Sequence, residues 1–365
     1  MTSILTMKKI CRALAICLAM VMFASCDNSF IYESEGDCTV KYRVNFVYDM
    51  NLKWADAFPS EVKSVNLYVF DSEGLFYKEF TADGVALSNP GFYIELDGVP
   101  AGDYQLVAWC GLVNEGVAQE SFTVTEPIKG VTTLDDLICR LNALNTKAED
   151  EGTTVISKER LYFLYHGNME VNLPDTGDGQ TYYYTMPLVK DTNHIRIILQ
   201  ELASDEDMEP DDYDISIEAA DGIMAYDNKV LPGPVITYTP WSLVQDEVGV
   251  GRLDVVNGEI KYVKGVIADL SVARIMDDMK DSFYLVIKNA GTGETIASVP
   301  VVQYALLAKK YYEMAYLHTM TNQEFLDRED EYVMTFFLEK GKWINAYIDI
   351  LQWRIVLSNY GIGDK

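Results

Sequence analysis

Cys26 carries the most definite chemistry that residue type and spacing suggest in this chain. Lys8, Lys9 and Arg12 precede an apolar run from Ala13 to Phe23; small Ala24 and Ser25 follow, and polar Asp27, Asn28 and Ser29 come directly after the cysteine. A basic start, a short apolar stretch and small residues before a cut are the parts of a secretory signal. At ~1.5 Å rise per residue the apolar run falls far short of the ~30 Å that a membrane-spanning helix needs. A cysteine directly after the small pair is similar to a bacterial lipobox, in which the thiol receives a diacylglycerol, the chain is cut before it and the new amino terminus is acylated. Phe23 stands where an aliphatic residue is usual. Residues 1–25 are thus expected to leave as a lipoprotein signal peptide, with Cys26 as the lipid attachment site. At ~0.8 kcal/mol per buried methylene, several acyl chains hold a protein on a membrane more firmly than one reversible anchor. An ordinary secreted protein cut elsewhere is the competing reading.

Other reactive residue types form no catalytic pattern. The three histidines, His166, His194 and His318, have no zinc-ligand spacing, and the chain has no Gly-x-Ser-x-Gly elbow, phosphate loop or Cys-x-x-Cys pair. Gly291-Thr292-Gly293-Glu294 resembles a fragment of a nucleotide loop, but it reads more simply as a hairpin turn with no helix behind it to face a phosphate. Ser204 to Asp214 is rich in carboxylates and could be weighed as a calcium loop. It lacks the Asp-x-Asp-x-Asp-Gly pattern, so a solvated connection is the expectation. Acidic residues are too plentiful to nominate a glycosidase-type pair. We therefore expect no catalytic residues, no metal and no cofactor. Signal removal leaves Cys26, Cys38, Cys110 and Cys139. A Cys38–Cys110 disulfide is possible in an exported protein, and buried free thiols are the alternative.

The chain has 365 residues, room for two ordinary domains. Loss of residues 1–25, with three basic and no acidic side chains, takes the formal net charge from −27 to −30. Such a surface repels phosphate backbones and anionic headgroups, which excludes nucleic acid as a partner and leaves membrane attachment to the lipid. A hydrophobic content of 49% with 24 Tyr and 14 Phe belongs to a folded chain.

Period-two alternation positions most of the sequence. Val40, Tyr42, Val44 and Phe46 alternate with Lys41, Arg43 and Asn45, the pattern of a strand with one wet face. Val65 to Val69 repeats it, and Phe92–Leu96 with Tyr104–Trp109 reads as a hairpin across Asp97 to Gly102. Leu134, Leu137, Ile138 and Leu141 behind Thr133 fit an amphipathic helix, with a loop from Asn145 to Lys158. Further strands are expected at 161–166, 182–188, 194–202, 215–218, 235–238, 259–263, 283–288, 295–302, 332–338, 343–348 and 351–357. Helices are expected over 304–316 and from Thr321, where Thr321-x-x-Glu324 makes a capping box. Short strands at this spacing predict a mainly β protein of two sandwiches in series, an N-terminal domain over 26–185 and a C-terminal domain over 186–365.

Several segments taken in order resemble the fimbrillin-A-associated anchor family. They are the Cys26 leader, Cys38, Val69-Phe70-Asp71-x-x-Gly74 and Leu106-Val107-Ala108-Trp109. The second half adds Ala225-Tyr226-Asp227-Asn228 through Tyr238-Thr239-Pro240, Ala268 to Ile275, Thr292-Gly293-Glu294 leading to Pro300, Gln323 to Glu329, Thr335 to Leu338 and Ile350 to Val356. Ile350-Leu351-Gln352-Trp353 departs from the small turn that relatives often show before the tryptophan. The resemblance implies two transthyretin-like β-sandwich domains, no active site, and a lipoprotein that holds a type V fimbria at the outer membrane and limits its growth. Its partners would be fimbrial pilin subunits, with no small-molecule substrate. Joining by β-strand complementation would leave the first strand, near Thr39 to Tyr48, in place, because cutting it off would separate the body from its lipid. The terminal segment from Trp353 to Ile362, with Trp353, Ile355 and Leu357 on one face, is the candidate donor strand or else the last core strand. A surface glycan-binding lipoprotein and a fimbrial tip adhesin are the alternatives. The tip reading is disfavoured because no arginine sits in a linker between Cys26 and Thr39.

Overall fold

The computed structural model describes residues 39–114, 116, 119–144, 155–177, 179–202, 207–253, 260–350 and 353–358. In chain order the first strands are β1 (Lys41–Val47), β2 (Ser64–Phe70), β3 (Phe76–Asp83), β4 (Ile94–Glu95), β5 (Gly102–Cys110), β6 (Phe122–Val124), β7 (Cys139–Leu141), β8 (Val155–Ser157), β9 (Tyr165–Leu173), β10 (Thr181–Pro187) and β11 (Val189–Lys190). They are followed by β12 (Asn193–Glu201), β13 (Tyr213–Ala219), β14 (Ile223–Met224), β15 (Ile236–Tyr238), β16 (Ser242–Leu253), β17 (Ile260–Val272), β18 (Tyr284–Asn289), β19 (Thr295–Pro300), β20 (Glu331–Glu339), β21 (Lys342–Ile350) and β22 (Trp353–Ser358). The helices are α1 (Phe58–Glu61), α2 (Val301–Tyr316) and α3 (Asn322–Arg328). The protein is mainly β, as the alternation requires.

The sheets run β10-β1-β4 and β11-β9-β5-β2-β3, built mainly from the first half, and β16-β17-β12-β20-β21-β22 and β19-β18-β13-β15-β8, built mainly from the second; β14-β7-β6 forms a further three-stranded sheet. In the six-stranded sheet β12 and β20 pair in parallel from His194↔Glu331 to Glu201↔Leu338. β2 and β5 are buried on both faces. Leu67, Val69, Leu106 and Ala108 share one face by register, and Tyr68, Phe70, Val107 and Trp109 share the other. The first face meets the three-stranded sheet so closely that a Cβ on Gly167 would lie 2.7 Å from Met186 and 2.8 Å from Leu188. The second face joins one core with Cys139 and, from the second half, Ile195, Met224 and Phe336.

The chain divides unevenly into two compact units. One holds Tyr42–Pro174 with Tyr183–Lys365. Among the described residues the other joins 39–41 to Asp175–Tyr182, where the Lys41 amide donates to the Gln180 carbonyl at 3.0 Å. Among the described residues three pairings cross the expected boundary near residue 185: β8 lies parallel to β15, β7 pairs with β14, and β11 pairs with β9.

Five local expectations need correction. Phe92–Leu96 and Tyr104–Trp109 do not form a hairpin, since β4 pairs with β1 while β5 lies between β2 and β9 in the other sheet. Alternation fixes which face a strand buries, and it does not choose the strand's partner. The helix at 134–141 is a single turn, Leu134–Asp136, followed by β7. Leu137, Cys139 and Leu141 are buried at period two, a pattern that overlaps the helical one over so short a stretch. Within the expected loop Asn145–Lys158, residues 155–157 form β8, and 145–154 lie outside the described residues. The strand placed at Leu161–His166 begins only at Tyr165. The capping box is half made: Thr321 accepts the Glu324 amide, while the Glu324 carboxylate turns to Arg328 and His318.

Candidate functional site

β1 alternates half-buried and buried residues along its length. Tyr42, Val44 and Phe46 point inward, where Phe46 stacks on Phe58 at 5.7 Å and lies 6.2 Å from Phe92. On the wet face Arg43 binds Glu95 at 2.9 Å and lies 4.2 Å over the Tyr93 ring. The strand is the middle member of its sheet, so its removal would open an apolar groove flanked by unpaired backbone groups.

β22 closes the other end of the chain. It pairs antiparallel with β21, from Ile350↔Trp353 through Ile348↔Ile355 and Ala346↔Leu357 to Asn345↔Ser358. It is the outermost strand of the six-stranded sheet, so one of its edges is unpaired among the described residues. Residues 359–362 of the expected donor segment lie outside the described residues, as do Cys26 and Cys38. Cys110 is fully buried with a free thiol, and burial pushes its pKa up. The Cys38–Cys110 disulfide weighed in the sequence involves a residue, Cys38, outside the described residues. Tyr48 packs on Tyr165, the register partner of Cys110.

A buried polar node draws together three of the blocks that carry the family resemblance. Arg274 donates to both Asp327 oxygens at 2.8 and 2.9 Å and to the Asn228 carbonyl at 2.6 Å. Asp191, fully buried, accepts from the Asn228 amide at 3.0 Å and lies 3.7 Å from the Arg274 Nε. Asn228 has φ 66°, a left-handed conformation that its short amide tolerates, and it closes the turn from Ala225. Burial raises the Asp191 carboxyl to about 7 against the opposing pull of Arg274. Asp221, held by the Tyr238 hydroxyl at 2.7 Å, is likewise raised by burial to about 7, and Glu329 to about 8. His166 packs on Trp109 at 4.6 Å, contacts the Tyr226 carbonyl at 2.8 Å, and is lowered by burial to about 3. These groups tie the link between β11 and β12 to the 225–228 turn, the end of β17 and α3. With Arg274 and Asp327 side chains only 8% and 12% exposed, the node is a brace and offers no reactive group to a substrate.

The remaining sequence candidates are dispersed. His194 shares Asp269 with Arg196, and His318 contacts Glu324 at 3.3 Å. Gly291–Glu294 is the turn of the β18–β19 hairpin. In the acidic segment Pro210–Asp212 forms one turn and Asp214 lies in β13; residues 203–206 lie outside the described residues. Among the described residues no His, Cys, Asp and Glu side chains converge as metal ligands. A cleft of about 1060 Å³ opens beside residues 48–61 and the start of β20, but its Lys190 is already paired with Asp330 and Glu61. The node was missed in the sequence because Arg274 sits inside an apolar block, Leu270 to Ile275, and its partners lie far along the chain. The signal available was that Asn228, Arg274 and Asp327 each fall in a separate family-like block.

Comparison with known proteins agrees with this arrangement. A family profile described as fimbrillin-A associated anchor proteins Mfa1 and Mfa2 matches residues 34–359. The minor fimbrium anchoring subunit Mfa2 of Porphyromonas gingivalis is 25% identical over 227 residues, 60% of this chain and 64% of that protein, so the match spans less than two thirds of that relative. A crystal structure of a candidate adhesin from Bacteroides thetaiotaomicron is similar with TM-score 0.72 and 28% identity, covering 86% of this chain and 96% of that one. The fimbrial anchor protein Mfa2 from P. gingivalis shares the fold at TM-score 0.60 and 17% identity, covering 87% of this chain and 98% of that one. This chain belongs to the fimbrillin-A associated anchor protein family.

Proposed function

We propose that the protein is an outer-membrane lipoprotein, tethered through Cys26, that moors a type V fimbria at the cell surface and limits its length. The observation that supports this most is the position of β1 at the centre of the β10-β1-β4 sheet with its apolar side chains buried. A body hung from its amino end must keep that strand, whereas a subunit that receives a neighbour's strand must give one up. The partner is a fimbrial pilin subunit, and the joint is a β-strand exchange in which residues from Trp353 onward act as donor. As the outermost strand of its sheet, β22 can transfer without opening the sheet's centre. A donated strand gains ladder hydrogen bonds and side-chain burial together.

We also read the body as two transthyretin-like sandwiches, 26–185 and 186–365. In support, each half supplies most of its own pair of main sheets; among the described strands β8 crosses into the second half's sheets and β11 into the first half's. Truncation after Leu351 tests the donor assignment. The variant should fold, remain in the outer-membrane fraction and fail to retain fimbriae. A truncated protein that folds and retains fimbriae at the wild-type level would refute it.

A further inference from the structure

Between β1 and α1 the chain makes a short excursion, residues 49–57, that reaches the helices near the other end of the sequence. The loop braces itself first. Asn51, buried, donates to the Tyr48 and Ala55 carbonyls at 3.0 and 2.8 Å and accepts the Lys53 amide at 3.0 Å. Asp56 accepts the amides of Tyr48 and Phe58, each at 3.0 Å.

The helices then grip it. Arg328, at the end of α3, donates to the Asp49 and Asn51 carbonyls at 3.1 and 3.4 Å, while Glu324 orients its Nε at 3.1 Å. Trp54 lies over the Arg328 guanidinium at 3.7 Å and edge-on to His318 at 4.7 Å. Its indole N–H donates to the Tyr312 hydroxyl at 2.7 Å, and that hydroxyl donates to the Leu52 carbonyl at 2.8 Å. Trp54 has φ 53°, a left-handed conformation that a bulky side chain keeps only when its surroundings over-determine it.

We propose that this loop is a mechanical latch that joins the two loaded ends of the molecule directly. The inference rests on the mooring reading, in which tension enters at the amino-terminal tether and leaves at the carboxyl-terminal strand. The latch follows β1 immediately, and Arg328 precedes β20, which leads through β21 to β22. Tension between the ends passes from β1 through Asp49–Trp54 to Arg328 and Tyr312 and on into the last sheet. This direct route bypasses the covalent chain between α1 and α2, which meets it sideways where β4 and β10 flank β1 and where β12 pairs with β20. Guanidinium-to-carbonyl bonds and a stacked indole suit this task, because hydrogen bonds to a charged donor are stronger than neutral ones.

Single-molecule pulling on the purified mature chain tests it, with handles at Thr39 and Ser358 and again at Phe58 and Met320. In the first geometry wild type should show an early high-force peak, which Trp54→Ala loses and Tyr312→Phe lowers. In the second geometry both variants should match wild type, which also controls for the folding of the remainder. Equal rupture forces for wild type and both variants in the first geometry would overturn the latch. So would an equal weakening in both geometries. Fimbrial retention read separately in still and sheared cultures distinguishes the two ideas. Shedding of fimbriae by the variants under shear alone fits the latch, whereas shedding in still culture too would show that the loop serves attachment itself and would refute it.

Discussion

Removing the Arg274 side chain is the sharpest perturbation of the buried node. Arg274→Ala deletes two bonds to Asp327, one to the Asn228 carbonyl and the nearby charge facing Asp191. It leaves two carboxylates in a site where Asp191 has no exposed surface. Removing one partner of a buried pair costs about 3–5 kcal/mol, because the other charge stays desolvated and unpaired. Against a total stability of about 5–15 kcal/mol for a folded domain, that is a large share. Lys264→Ala provides the contrast: Lys264 and Asp207 are 3.3 Å apart, but both side chains are 50% exposed, so the loss should be below about 1 kcal/mol. Equilibrium urea unfolding of the two variants beside wild type measures both. The Arg274 deficit should shrink at pH 5, where Asp191, already raised to about 7, is neutral. An Arg274→Ala cost no greater than that of Lys264→Ala would refute the node as a brace.

Stability should depend on pH in an unusual direction. The folded-state pKa values of Asp191, Asp221 and Glu329 are raised by burial to about 7, 7 and 8, so folding binds protons there, and stability should rise as pH falls from 8 to 6. Each such proton is worth about 1.4 kcal/mol per pH unit, and His166, lowered to about 3, opposes the trend only below its unfolded pKa near 6.5. Thermal melts that are flat or higher at pH 8 would contradict this. Gly167→Ala should destabilise by about 1–3 kcal/mol, since its Cβ would press on Met186 and Leu188 between the sheets; a neutral effect in urea unfolding would mean the sheets are not in contact there. Cys110 should resist alkylation in the folded protein and react once unfolded, as a buried free thiol must; an intact-mass analysis showing it disulfide-bonded would contradict the structure.

Strands with one wet face were legible in the sequence. β1, β12 and β20 follow their alternation, and the β18–β19 hairpin follows its Gly-Thr-Gly-Glu turn. β2 and β5 are buried on both faces, so alternation marks them as strands without showing that they divide two cores. Partner choice was the least legible level. The pairing of β4 with β1 and of β8 with β15 depends on residues remote in sequence, on which local pattern is silent. The buried charges were hidden for the same reason: Arg274 and Asp327 read as ordinary polar residues until the fold brings them together. The terminal strand was legible as a strand, while its place at the outside of the six-stranded sheet was not.

Mooring through the lipid is tested most directly by Cys26→Ala in the producing cell, with fimbriae counted separately on washed cells and in the medium. Loss of the tether should transfer fimbriae from cells to medium and lengthen the released fibres. Cells that keep their fimbriae at normal number and length without the Cys26 thiol would contradict mooring by this protein.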